Sequence, residues 1–268
     1  MEIGSTAAMG RRYDNGHQVF TEPTPKRVRV RFGGEWIADS RRALLLHESK
    51  HLPVYYFPRG DVRMDLMEGT DHTTRCPYKG EASYWTVRAG GREAENAVWA
   101  YPEPIEGKEH LAEYVAFYWN EMDQWFEEDD EVFVHARDPY KRIDVLHSSR
   151  HVQVRIGDTL LAETHRPVLL FETGLPVRTY IPQTDVRLDL LAPSDHSTDC
   201  PYKGSGAQYW SVNAGGEVHE NLVWSYPFPT REALPIAGLV CFFDERVDMT
   251  IDGELQERPQ TRWSVKGE

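Results

Sequence analysis

The chain has 268 residues, 40% hydrophobic and 12% aromatic, which is enough to bury a core in each of two ordinary domains and too apolar for a disordered protein. Its formal net charge of -13 argues against a nucleic-acid backbone or an anionic membrane as partner. No apolar run approaches the roughly 20 residues that a bilayer-spanning helix needs.

Residues 1–26 read as a flexible tail, polar and without periodicity. They contain no apolar stretch of the kind a secretory leader carries, so none is expected. The three cysteines, Cys76, Cys200 and Cys241, have no paired spacing. That pattern predicts reduced thiols and a cytoplasmic setting. From Arg27 to Phe32 polar and apolar residues alternate, and Gly33-Gly34 then turns the chain into Glu35-Trp36-Ile37-Ala38. Leu44-Leu45-Leu46 and Pro53 to Pro58 predict further short strands. Asp61-Val62-Arg63-Met64-Asp65-Leu66 alternates cleanly and predicts a strand with Asp61, Arg63 and Asp65 on one face.

Next comes Asp71-His72-Thr73-Thr74-Arg75-Cys76-Pro77-Tyr78-Lys79-Gly80, a turn sequence with Pro77 in a favoured second position. Strands are predicted at Tyr84 to Arg88, Asn96 to Tyr101 and Tyr114 to Trp119, with Gly90-Gly91 as a hairpin turn. The ten-residue block then recurs as Asp195-His196-Ser197-Thr198-Asp199-Cys200-Pro201-Tyr202-Lys203-Gly204, at an offset of 124 residues (76 to 200). Matching positions continue on both sides, so the chain is a tandem duplication. The predicted division is a first β repeat at 27–130, a packed connection at 131–149, a second repeat at 150–258 and a tail at 259–268. The connection must pack because Val132-Phe133-Val134 and Ile143-Asp144-Val145-Leu146 are apolar. The expected fold is mainly β, two tandem small antiparallel β domains forming a pseudo-dimer.

Several residue sets in the repeat carry chemistry. Cys76 and Cys200, beside Lys79 and Lys203, have the setting of a nucleophilic thiol, with His72 and His196 as bases and Asp65 or Asp61, matched by Asp189 or Asp185, to orient them. The alternative is a small buried residue that the turn requires. The lysines pair with an acidic residue or grip an anionic group of a ligand. Asp61, Arg63, Asp185 and Arg187 read either as pocket wall or as a closed charge ladder. Tyr78, Tyr84, Trp85, Trp99 and Tyr101, matched by Tyr202, Tyr209, Trp210, Trp224 and Tyr226, read either as a cage for a flat or cationic ligand or as the core of a small β domain. One sulfur and one imidazole per copy do not make a zinc site, and no cofactor or metal is expected.

The pattern Asp-Val-Arg-Met-Asp-Leu, then Thr-x-Cys-Pro-Tyr-Lys-Gly, Tyr-Trp-Thr/Ser-Val and Val-Trp-Ser/Ala-Tyr-Pro resembles the domain-of-unknown-function family 427, in both copies. The resemblance implies small antiparallel domains related to the β-tent folds, and a nucleotidyltransferase-like label is sometimes attached to the family. The residues give that label no support: there is no phosphate-cradling glycine loop, and Arg63 stands between two carboxylates where it would oppose a metal ion. Two functions are therefore expected. One is a small-polar-molecule binder or cysteine-dependent transferase or hydrolase with a pocket beside each Cys-Pro-Tyr-Lys-Gly turn, as monomeric pseudo-dimer or homodimer. The other is a non-catalytic scaffold built as an intramolecular pseudo-dimer.

Overall fold

A computed structural model describes residues 16–264. The chain divides into two compact units at Asp138/Pro139. In the first unit the strands are β1 (Val19–Pro23), β2 (Val28–Phe32), β3 (Glu35–Ser40), β4 (Leu44–Glu48), β5 (Val54–Pro58), β6 (Met67–Cys76), β7 (Gly80–Ala89), β8 (Arg92–Pro104), β9 (Tyr114–Phe117), β10 (Gln124–Glu127) and β11 (Asp130–Val132). They form an antiparallel seven-stranded sheet, β1-β4-β5-β9-β8-β7-β6, and a four-stranded sheet, β11-β10-β2-β3. The second unit has β12 (Ile143–His147), β13 (Val152–Ile156), β14 (Thr159–Thr164), β15 (Val168–Glu172), β16 (Arg178–Pro182), β17 (Leu191–Cys200), β18 (Gly204–Ala214), β19 (Glu217–Ser225), β20 (Phe228–Pro229), β21 (Leu239–Phe242), β22 (Asp248–Ile251) and β23 (Glu254–Leu255). It repeats the plan as β12-β15-β16-β21-β19-β18-β17 and β14-β13-β22-β23.

Alternation of side chains gives each large sheet two buried faces. In the first unit Phe57, Val87, Val98, Val115 and Phe117 pack against Val28, Val30, Phe32 and Ile37 of the small sheet. The opposite face carries Tyr56, Tyr84, Tyr101, Leu111 and Ala116, with Cys76 and Trp99 beside them. The second unit has the same division. One face therefore builds an ordinary apolar core, and the other buries rings, phenols and thiols.

Four expectations are corrected. The 1–26 tail is too long: Val19–Pro23 pairs with β4, from Val19 opposite Glu48 to Pro23 opposite Leu44. Residues 1–15 lie outside the described residues. The 131–149 connection contains β12, which pairs with β15 from Ile143 opposite Glu172. These two segments are one repeated strand, so each repeat begins before 27 and before 150. Asp61–Leu66 is not a strand but two 3-10 turns, Arg59–Asp61 and Met64–Leu66, tied to β3 where Val62 bridges Ala38 and Arg63 N–H donates to the Ile37 carbonyl. Alternation was an insufficient signal there because local ion pairs fix the charged residues, as described below. In the predicted 259–268 tail, Thr261 bonds Glu245 and Trp263 lies against Phe243; residues 265–268 are outside the described part.

Gly80 closes the repeated turn with φ of +118, and a Cβ there would sit 2.9 Å from the Glu103 carbonyl oxygen. Gly204, with φ of +140, faces the Phe228 carbonyl in the same way. Gly80→Ala is expected to destabilise the first unit by about 1–3 kcal/mol. Gly60→Ala meets nothing within 4 Å and serves as the near-neutral control in the same denaturation series.

Candidate functional site

The repeated turn places its lysine indoors. Cys76 ends β6, Lys79 N–H donates to the Cys76 carbonyl at 3.4 Å, and Gly80 starts β7. The Lys79 side chain, 9% exposed, runs beneath the sheet and donates to Glu48 at the end of β4. Lys203 reaches Glu172 at the end of β15 in the same way. Burial works to raise the Glu48 carboxyl, but the bonds from Lys79 and His17 outweigh it and hold the group below its ordinary range. Glu172, 3% exposed, is likewise held low against burial by Lys203 and Lys141. Burial tends to lower Lys203, and the Cys200 sulfur and Glu172 carboxylate beside it reverse that and raise it. Each unit thus keeps an ionised Lys–Glu pair in a ring-lined interior.

Those rings are hydrogen-bonded to one another. Trp99 Nε1 donates to Tyr56 Oη at 3.2 Å, and Trp224 donates to Tyr180 Oη at 3.2 Å. Tyr84 Oη meets Thr74 Oγ1 at 2.7 Å, and Tyr209 meets Thr198 at 2.8 Å. Burial raises the phenols of Tyr56, Tyr101, Tyr180 and Tyr226 above their ordinary value, so they act as neutral donors and acceptors. Tyr118 packs at a tilt against Trp99, ring centres 4.6 Å apart, and is half-exposed; burial and a hydrogen bond to Tyr84 push its phenol up to about 12. Cys76 and Cys200 are partly exposed at the edge of this face, whereas Cys241 is fully buried and burial raises its thiol far above its ordinary value.

The structure gathers some of the predicted site residues and separates others. Lys79, Cys76, Tyr84, Trp99 and Tyr101 share one buried face, as do Lys203, Cys200, Tyr209, Trp224 and Tyr226. Tyr78 flanks it under His17, stacked at 3.9 Å, and Tyr202 lies under Lys141. His72 and His196 do not serve the thiols. Each stands on a bulge of its strand, where two extra residues of β6 or β17 loop out against β7 or β18, and packs on Tyr84 or Tyr209 at 4.5 Å. Three residues of β-strand lie between each histidine and its cysteine, a rise of about 13 Å from one to the other. Asp65 and Asp189 are also elsewhere, exposed and held by Arg63 and Arg187 two residues away. Asp61 binds Ser40 and Arg42, and Asp185 binds Thr164 and Arg166. The four aspartates are therefore surface ion pairs, which keep their carboxyls low. Trp85 and Trp210 point to the opposite face and pack on the apolar cores.

Sequence reasoning missed Glu48, Glu172, Tyr56 and Tyr180. A usable signal was present: both glutamates stand 31 residues before their lysines, and both tyrosines stand at matching places in the two copies. It also missed Arg178, Asp244 and Glu245, which the second unit alone carries. The Arg178 guanidinium, 8% exposed, forks onto Glu245 at 2.8 and 2.6 Å, with Asp244 at 3.4 Å and Trp224 and Trp263 over its faces. The first unit has Val54, Trp119 and Asn120 at these places. One oxygen of Asp244 is buried without a hydrogen bond.

Among the described residues no group of three or more His, Cys, Asp or Glu side chains comes together as a metal site. No helix among them is long and apolar enough to cross a membrane. A family model described as a domain of unknown function, DUF427, matches residues 20–128 and again 144–253. No curated protein matches the chain.

Proposed function

The chain belongs to that family in both halves, and from this premise we propose that each unit is a binding module for a small polar molecule. The ligand lies against the sheet face that carries the thiol, the Lys–Glu pair and the phenols. One observation carries this reading: the same buried ion pair, thiol and hydrogen-bonded rings are built twice, on a face separate from the apolar core. A buried ion pair is no more stabilising than apolar residues of the same volume. Folding alone therefore gives no reason for two copies of it. The half-exposed Tyr118 supplies an aromatic wall and a hydroxyl, and Cys76 and Cys200 stand at the rim as soft polar contacts. Three free thiols suit a reducing, cytoplasmic compartment.

A metabolite screen by thermal shift tests the reading. Hits are expected to slow alkylation of Cys76 or Cys200 at pH 7 and to lose at least tenfold in affinity in Lys79→Met and Lys203→Met proteins. Binding that survives both substitutions unchanged would lie elsewhere and would sink the proposal.

A further inference from the structure

The two sites differ at one charged position. His17 Nε2 bonds Glu48 Oε1 at 2.9 Å, while Lys79 takes Glu48 Oε2. In the second unit Lys141 Nζ stands 3.0 Å from Glu172 Oε1, while Lys203 takes Oε2. His17 and Lys141 are related by the same 124-residue offset as the cysteines, and both lie over the tyrosine of the repeated turn, Tyr78 or Tyr202. They are thus one structural position holding an imidazole in one copy and an ammonium in the other.

The consequence is a difference of charge. Two ammonium groups on one carboxylate leave the second site with one positive charge in excess at any pH near neutrality. The first site has one ammonium, Lys79, on its carboxylate, and an imidazole, His17 with His51 beside it, where the second site has its other ammonium. The nearby Arg178 does not add to the excess, because Glu245 closes it with two hydrogen bonds and the Asp244 carboxyl stands 3.4 Å from it. Lys141 remains 26% exposed, so its ammonium reaches both Glu172 and solvent.

We infer that the second unit's site takes a ligand bearing a small oxyanion, a carboxylate or a phosphate group, held between Lys141 and Lys203, and that Lys141 sets this preference. The first site, with an imidazole in that place, lacks the second ammonium and holds an oxyanion less firmly. This rests on the reading of both faces as binding sites and adds the ligand's charge to it. Ammonium groups act on an oxyanion as point charges, so the preference extends to both anion types and is weakened by salt.

The test is a reciprocal exchange in the full chain, since each residue introduced already stands at the equivalent position of the other unit. Inorganic phosphate and acetate are titrated separately by calorimetry at pH 8 and low ionic strength. The wild-type protein is expected to bind at least one of the two anions at one site per chain, and whichever binds identifies the group. Lys141→His is expected to lose at least tenfold in that affinity, and His17→Lys to raise the stoichiometry to two. Thermal melts confirm that both variants are folded, and Lys141→Met serves as a second charge-removing variant. Absence of anion binding to the wild type, or binding that neither Lys141 variant weakens, overturns the inference, as does an unchanged stoichiometry in His17→Lys. If a metabolite still protects Cys76 or Cys200 from alkylation in that event, only the charge preference falls and the reading of the faces as binding sites stands.

Discussion

Arg178→Met is expected to destabilise the second unit by about 3–5 kcal/mol, the cost of leaving a buried carboxylate without its partner. Glu245 has no exposed side-chain surface, and its remaining side-chain contact would be the hydroxyl of Thr261. Adding Glu245→Gln to Arg178→Met removes the orphaned charge and is expected to restore most of the loss. Denaturant titration checks this on the transition that carries the second unit, because a chain of two units need not unfold in one step. The same single substitution should leave the first unit's transition in place, where Val54 already occupies the corresponding position. A loss below about 1 kcal/mol would mean that water reaches the network and the pair behaves as a surface ion pair.

Asp244→Asn should change how stability depends on pH. Burial pushes the Asp244 carboxyl up to about 7; Arg178 opposes the shift and Glu245 adds to it. The folded protein therefore keeps a proton that the unfolded chain releases near pH 4. The resulting stability is full below that value and is lost as pH rises to about 7. A shift of this size corresponds to about 4 kcal/mol at most. Asparagine cannot ionise, so the variant is expected to be nearly as stable as wild type at pH 5 and about 2–4 kcal/mol more stable at pH 8. Glu172 and Glu245 work in the opposite sense, since their folded carboxyls are held low, and their contribution is lost only as pH falls below the ordinary carboxylate range. The two windows do not overlap, so thermal melts at pH 5 and 8 isolate Asp244. Parallel profiles for wild type and variant would refute the assignment.

Much of the fold was legible because the chain states it twice. The repeated Cys-Pro-Tyr-Lys-Gly block, the aromatic strands and the glycine turns reappear in both units, and the two large sheets share one strand order. The missed strand Val19–Pro23 shows the limit of local signals: Pro23 and Pro25 close to a polar segment suggest a tail, and only its counterpart Ile143–His147 is apolar enough to demand a partner. The site was legible in its lysine, thiol and rings. It was not legible in its carboxylate, because the lysine and its glutamate are 31 residues apart and meet only when β4 lies in the same sheet as β6 and β7. The nearer aspartates attracted attention by proximity in sequence, yet an arginine two residues away satisfies Asp65 and Asp189 at the surface. Side-chain alternation located the aromatic residues correctly along their strands but did not say which of two buried faces each would join. Trp85 and Trp99 illustrate this: they stand in the adjacent strands β7 and β8, one register position apart, and serve opposite faces.

The bulges that carry His72 and His196 also interrupt the pairing edges of these sheets. β6 and β17 are the outer strands of their sheets, each ten residues long and exposed along most of that length. A straight strand of that length would offer a continuous row of free amides and carbonyls to any neighbouring chain. The looped residues interrupt the row in its middle, and the charges of Glu68, Asp71 and Arg75 line the first copy. Smoothing either bulge by deletion would restore a continuous pairing edge and is expected to raise the tendency to aggregate.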